Sequence, residues 1–112
     1  MPTVKIYGPK SIVLMMAMMN NSIIKAIEDI PELGLKGKDW VKIIYPAHNS
    51  NNDTVVVEIT LLANPARTLE VRNRLAEIVC REIQKFCPSQ KIQCSIFSLT
   101  ENQGSYSLDP IP

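Results

Sequence analysis

At 112 residues the chain is one domain, long enough for a modest core. Its 46% hydrophobic and 21% charged content are those of an ordinary globular protein. The 12 basic and 11 acidic residues leave a net charge of +1, which gives no electrostatic case for nucleic acid or an anionic membrane as partner.

Met1-Pro2 leads directly into Thr3-Val4-Lys5-Ile6-Tyr7, whose alternation predicts a strand, broken by Gly8-Pro9. If Met1 is removed, Pro2 carries a free secondary amine, a group able to transfer protons on its own. The start has no basic region followed by an apolar run, and the cysteines Cys80, Cys87 and Cys94 are odd in number. A reducing cytoplasm and free thiols are therefore expected. The cysteine spacing fits no zinc pattern and only His48 could join them, so neither a metal nor a cofactor is expected. His48, alone in an asparagine-rich loop, reads as a surface residue.

Ser11 is the expected cap of a first helix running to Ile30 and stopped by Pro31, with Ile12, Met16, Met19, Ile23, Ile27 and Ile30 as its apolar stripe. Ser11 to Ser22 carries no charge, and methionines 15, 16, 18 and 19 lie both on and off the stripe. Either this is a core helix with flexible gap-fillers, or it is covered on two sides, by its own sheet and by a neighbouring subunit. Its apolar run from Ile12 to Met19 is too short to span a bilayer.

Trp40 to Tyr45 predicts a second strand, and Thr54 to Leu62 a third, β-branched enough to be central. Thr68 is the expected cap of a second helix reaching about Phe86, buried through Val71, Leu75, Ile78, Val79, Ile83 and Phe86. Glu70–Arg74 and Glu77–Arg81 are spaced for ion pairs on its solvent face. Lys91 to Phe97 predicts a fourth strand, followed by a polar, proline-rich tail.

The order strand–helix–strand therefore occurs twice, with corresponding elements about 52, 56 and 51 residues apart. The expected fold is α+β, a two-layer α/β sandwich. A tandem βαβ repeat, units about 1–52 and 53–99 with a tail 100–112, gives a four-stranded mixed sheet with two helices on one face. No segment remains to cover the other sheet face, so an oligomer is expected.

A duplicated βαβ chain beginning Met-Pro-strand resembles the tautomerase superfamily, which includes 4-oxalocrotonate tautomerase, macrophage migration inhibitory factor, cis-3-chloroacrylic acid dehalogenase and malonate semialdehyde decarboxylase. MPTVKIYG, VVVEITLLANPARTLEVRNRLAEIV and SLTENQGSYS carry the resemblance. It implies a homotrimer, a small carboxylate as substrate, and Pro2 as the catalytic base or acid. A free α-amino group titrates at about 7.7–8.0, and an apolar pocket lowers that value by desolvating the charged form. The neutral amine can then move a proton beside a carbonyl, or attack the carbonyl to form an iminium.

Arg67, at the start of the second helix, can form a carboxylate site with the first free N–H groups. The resemblance assigns the same role to an arginine at this place. Antiparallel first strands of the two units would bring the start of the first strand near the end of the third. Tyr106 matches the family's tail aromatic, which walls the pocket, and Glu101-Asn102 matches an acid–asparagine pair. Asn64 and Pro65 stand where dehalogenase and decarboxylase members carry a second arginine. Ile30 or its apolar neighbours stand in place of the dehalogenase's late-helix histidine. Both departures argue against adding water to a haloacrylate and weaken decarboxylation. Pro2 is thus the candidate catalytic residue, with Arg67, Tyr106, Asn64 and Glu101 as candidate substrate-binding residues. The alternative is a non-catalytic oligomeric module on this or a ferredoxin-like fold, with the methionine-rich helix as its contact surface.

Overall fold

The structure, a computed structural model, describes residues 2–35, 41–46, 54–99, 106 and 108–111. Strands β1 (Thr3–Tyr7), β2 (Lys42–Ile44), β3 (Thr54–Leu62) and β4 (Lys91–Leu99) form one mixed sheet in the order β2-β1-β3-β4. Helices α1 (Met16–Glu28) and α2 (Leu69–Gln84) are the crossovers. Each unit's strands pair in parallel, β1 with β2 and β3 with β4. The units meet through an antiparallel junction, in which Thr3 faces Thr60 and Tyr7 faces Val56.

Strand parity decides what is buried. Val4, Ile6, Val55, Val57, Ile59 and Leu61 point to one face and are buried. Met19, Ile23 and Ile27 of α1 and Val71, Leu75, Val79 and Ile83 of α2 close over them, completing one continuous core. The opposite parity faces away from the helices. There Lys5, Gln93 and Ser95 are exposed, as are the apolar Leu62, Phe97 and Leu99.

The first helix departs from the expectation. Lys10–Met15 is a 3-10 segment and the α-helix begins only at Met16. The N-cap is Met15, which supplies no side-chain bond, so Ser11 is not the cap. The tighter winding starts at the strand exit, where Ile12 N–H donates to the Pro9 carbonyl at 3.0 Å. The approach is close: a Cβ on Gly8 would lie 2.9 Å from Ile12 Cδ1, so glycine lets the buried Ile12 tuck under the sheet. Met19 is fully buried in the chain's own core, whereas Leu14 and Met18 are 89% and 66% exposed. The uncharged stretch is therefore half core and half bare.

Gly34, at φ 66°, closes the short 3-10 turn Pro31–Leu33 in the left-handed conformation that glycine adopts freely. The second strand is shorter than expected, and Trp40 lies outside the described residues, as does His48. Tyr45 follows β2 half-buried, and its hydroxyl donates to Asn20 Oδ1 at 2.7 Å, tying the strand end to α1. Burial pushes the Tyr45 phenol up to about 12.

At the start of α2, Thr68 is the cap, its Oγ1 accepting from Val71 N–H at 3.3 Å. The helix ends at Gln84, where Phe86 N–H and Cys87 N–H both turn back to the Ile83 carbonyl. Strand β4 extends past Phe97 to Leu99 because β3 offers partners that far, pairing Leu62 with Leu99. Glu77–Arg81 pairs as expected, at 3.6 Å. Arg74 instead takes Glu32 at 2.5 Å, since the short turn presents that carboxylate across the helix–turn gap. Among the described residues no helix is long and apolar enough to cross a membrane.

Candidate active site around the chain start

Pro2 is buried, and its carbonyl accepts the Lys42 N–H at 3.1 Å, which anchors the chain start to β2. On its other side the antiparallel register ends with Thr3 opposite Thr60, which brings Pro2 toward the end of β3. Pro2 thus sits between the start of β2 and the end of β3, its carbonyl held by Lys42.

Arg67 reaches the same strand end. Its Nη1 donates to the Leu62 carbonyl at 2.9 Å and its Nη2 to the Leu33 carbonyl at 3.0 Å. Its Nε is buried without a partner. The backbone supports this reach: Arg67 N–H donates to the Asn64 carbonyl at 2.8 Å, closing a tight turn after β3. A guanidinium has five N–H donors, and two of them serve main-chain carbonyls. Each of the two terminal nitrogens spends one of its two protons in these bonds.

Asn64 is exposed and its Oδ1 accepts Ala66 N–H at 2.9 Å, shaping the turn that presents Arg67. Tyr106 is 87% exposed in the single chain and contributes no wall to a site within it. Glu101 and its neighbour Asn102 lie outside the described residues. Arg72 Nε returns to the Thr68 carbonyl at 3.3 Å, and Arg74 is engaged with Glu32, whose carboxyl is held below its usual value chiefly by that bond.

One polar group escaped the sequence reading. On the open face, Glu58 is the single charge within TVVVEITLL and lies opposite Lys5 in the register. Partial burial first, and then the neighbouring Glu58 carboxylate, raise the Tyr7 phenol. The signal was present as parity, since Glu58, Lys5 and Tyr7 all fall on the face opposite Val57 and Ile6.

No family model and no curated protein sequence matches the chain. Solved structures do match. A member of the cis-3-chloroacrylic acid dehalogenase family superposes with a TM-score of 0.71 at 9% identity, covering 98% of this chain and 83% of that one. A fused 4-OT wild-type asymmetric trimer gives 0.63 at 15% identity, with 86% of each chain covered. A 5-carboxymethyl-2-hydroxymuconate isomerase from Deinococcus radiodurans gives 0.58 at 8% identity, covering 97% of this chain and 90% of that one. At these identities the match is one of architecture: two helices packed on one face of a four-stranded mixed sheet, the fold of the tautomerase superfamily.

Proposed function

We propose that the chain is a cofactor-independent tautomerase or isomerase that uses Pro2, freed by removal of Met1, to move a proton on a small 2-oxo or enol carboxylate. The observation that carries this reading is the convergence at the end of β3. The antiparallel register ends with Thr3 opposite Thr60, which brings Pro2 toward the end of β3, and Arg67 holds the Leu62 carbonyl there. Burial at the chain start favours the neutral amine near neutral pH, as proton abstraction requires. The second protons of the two Arg67 terminal nitrogens would supply a point of attachment for one carboxylate. The architecture shared with a 5-carboxymethyl-2-hydroxymuconate isomerase supports the same reaction class. With Asn64 and Pro65 before Arg67, a single arginine serves the site, which favours proton transfer over hydration or decarboxylation. A homotrimer completes the reading, with a second copy covering the open sheet face and bringing residues such as Tyr106 to a neighbour's site.

The test has two arms. Intact mass establishes whether Met1 is absent, because a retained Met1 turns the Pro2 nitrogen into a non-basic amide. Protein lacking Met1 is then expected to ketonise phenylenolpyruvate or 2-hydroxymuconate, and Pro2→Ala to lose about 10²–10⁴-fold in kcat/KM. Equal rates in mutant and wild type remove Pro2 from the mechanism.

The bare Leu14 and Met18 favour a second reading, a binding module that contacts its partner through this helix. Because Met19 belongs to the core, charge introduced there would break the fold; Met18→Lys is the substitution that addresses the surface.

A further inference from the structure

The turn Pro31–Leu33 is gripped at two points by the start of the second unit's helical segment. Just before the Thr68 cap, Arg67 Nη2 donates to the Leu33 carbonyl at 3.0 Å, while its Nη1 donates to the Leu62 carbonyl at 2.9 Å. Further along α2, Arg74 Nη2 meets Glu32 Oε2 at 2.5 Å. One turn therefore serves both guanidinium groups. Its Leu33 carbonyl is a prong of the Arg67 seat, and its Glu32 carboxylate is what Arg74 holds.

The Glu32 carboxylate is placed so that the turn would feel the loss of Arg74. Its other oxygen, Oε1, is buried without a partner. With the cation beside Oε2 gone, a carboxylate with one oxygen out of water is left uncompensated, and it regains hydration only if the turn carrying it tilts outward. Gly34, at φ 66°, ends the turn with a residue whose backbone tolerates that adjustment. The buried Leu33 side chain keeps the turn docked, so the movement is a tilt and not a release. The Leu33 carbonyl moves with its neighbour Glu32. Arg67 then keeps the Leu62 prong alone, and its buried Nε has no bond with which to hold the plane of the group.

We propose that Arg74, acting through Glu32, is a positioning residue for Arg67: it holds the Leu33 carbonyl where that carbonyl fixes the plane of the Arg67 guanidinium. The consequence for turnover rests on the reading of Arg67 as the carboxylate anchor; the placement itself does not.

The test has a ligand-free arm and a turnover arm. In the first, the isotope-labelled full-length protein is read by nuclear magnetic resonance through the Arg67 Nε–H signal, assigned by its loss in Arg67→Lys. Arg74→Ala is expected to move that signal to the position of free arginine side chains, while the Val57 amide in the core of β3 stays in place. Arg74→Lys keeps a cation beside Glu32 and should hold the signal near its wild-type position. Glu32→Ala combined with Arg74→Ala removes the stranded carboxylate and should return the signal toward wild type. An Arg67 signal unmoved in Arg74→Ala, or a Val57 amide displaced with it, overturns the proposal. In the second arm, with phenylenolpyruvate, Arg74→Ala should raise KM about threefold to fivefold and leave kcat within about twofold, the scale of a part-exposed ion pair. An unchanged KM, or a loss confined to kcat, overturns it as well. Wild-type protein without turnover would sink the tautomerase reading, and the first arm would then decide the placement of Arg67 on its own.

Discussion

Arg67 ties the two halves of the chain together. Its guanidinium bonds two main-chain carbonyls that lie far apart in sequence, Leu33 in the first unit and Leu62 in the second. Leu33 is buried, so loss of the donor leaves a carbonyl away from water without its bond. Arg67→Ala is therefore expected to lower unfolding stability by about 2 kcal/mol, measured by urea denaturation. Arg67→Lys should recover little of this, because an ammonium cannot span both carbonyls as a planar fork does. Unchanged stability in Arg67→Ala would mean that these bonds contribute nothing net. The sequence placed Arg67 at a helix start and supplied its charge. It could not supply the carbonyl partners, since Leu33 reaches this point only through the packing of the first unit.

At the scale of elements, the turn Pro31–Leu33 is fastened to α2 a second time through Glu32 and Arg74. The bond to Arg74 first, and then the Glu32 backbone, hold the Glu32 carboxyl below its ordinary 4.5. A group depressed in the folded state stabilises above its unfolded value, and that stabilisation fades as pH falls through the folded value. Thermal melts across pH should thus show Arg74→Ala less stable than wild type above pH 4.5, with the difference closing in stronger acid. A difference that persists unchanged in acid would assign the effect to packing of the Arg74 stem. Strands β1 and β3 were legible to the residue because alternation and β-branching act locally. The entry to α1 was not, because a 3-10 segment and an α-helix present much the same apolar stripe over a few residues. The last residues of β4 were hidden for another reason: their partners Leu61 and Leu62, and not their own propensity, keep them extended.

At the scale of the molecule, the described residues leave one sheet face without cover in the single chain. Along it, Leu62 and Leu99 face each other, Phe97 lies beside Thr60, and the Lys5–Glu58 row crosses the middle. The three apolar residues are 40–48% exposed, an adjacent group at the β3–β4 end of the face. If a second copy covers this face, wild type should sediment as an oligomer and the double variant Phe97→Lys, Leu99→Lys as a monomer with an unchanged circular dichroism spectrum. A monomeric wild type at micromolar concentration would sink the trimer. The duplicated architecture was readable from the order and spacing of elements; the choice of assembly was not, because contacts between copies have no periodicity within one chain.

The two halves of the repeat are unequal partners in the sheet. The parallel ladder of β3 and β4 registers nine residue pairs, that of β1 and β2 only three. Opening the short ladder breaks few bonds, so β2 marks the low-energy end of the molecule's fluctuations and β3–α2–β4 its most persistent unit. Amide exchange would therefore run as a gradient across the sheet, fastest at β2 and slowest at β3. The same asymmetry makes the second unit the natural folding nucleus, onto which β1 and then β2 are added. Pro2, which accepts its bond from Lys42 at the threshold of β2, would then be among the last parts of the chain to be seated and among the first to be released.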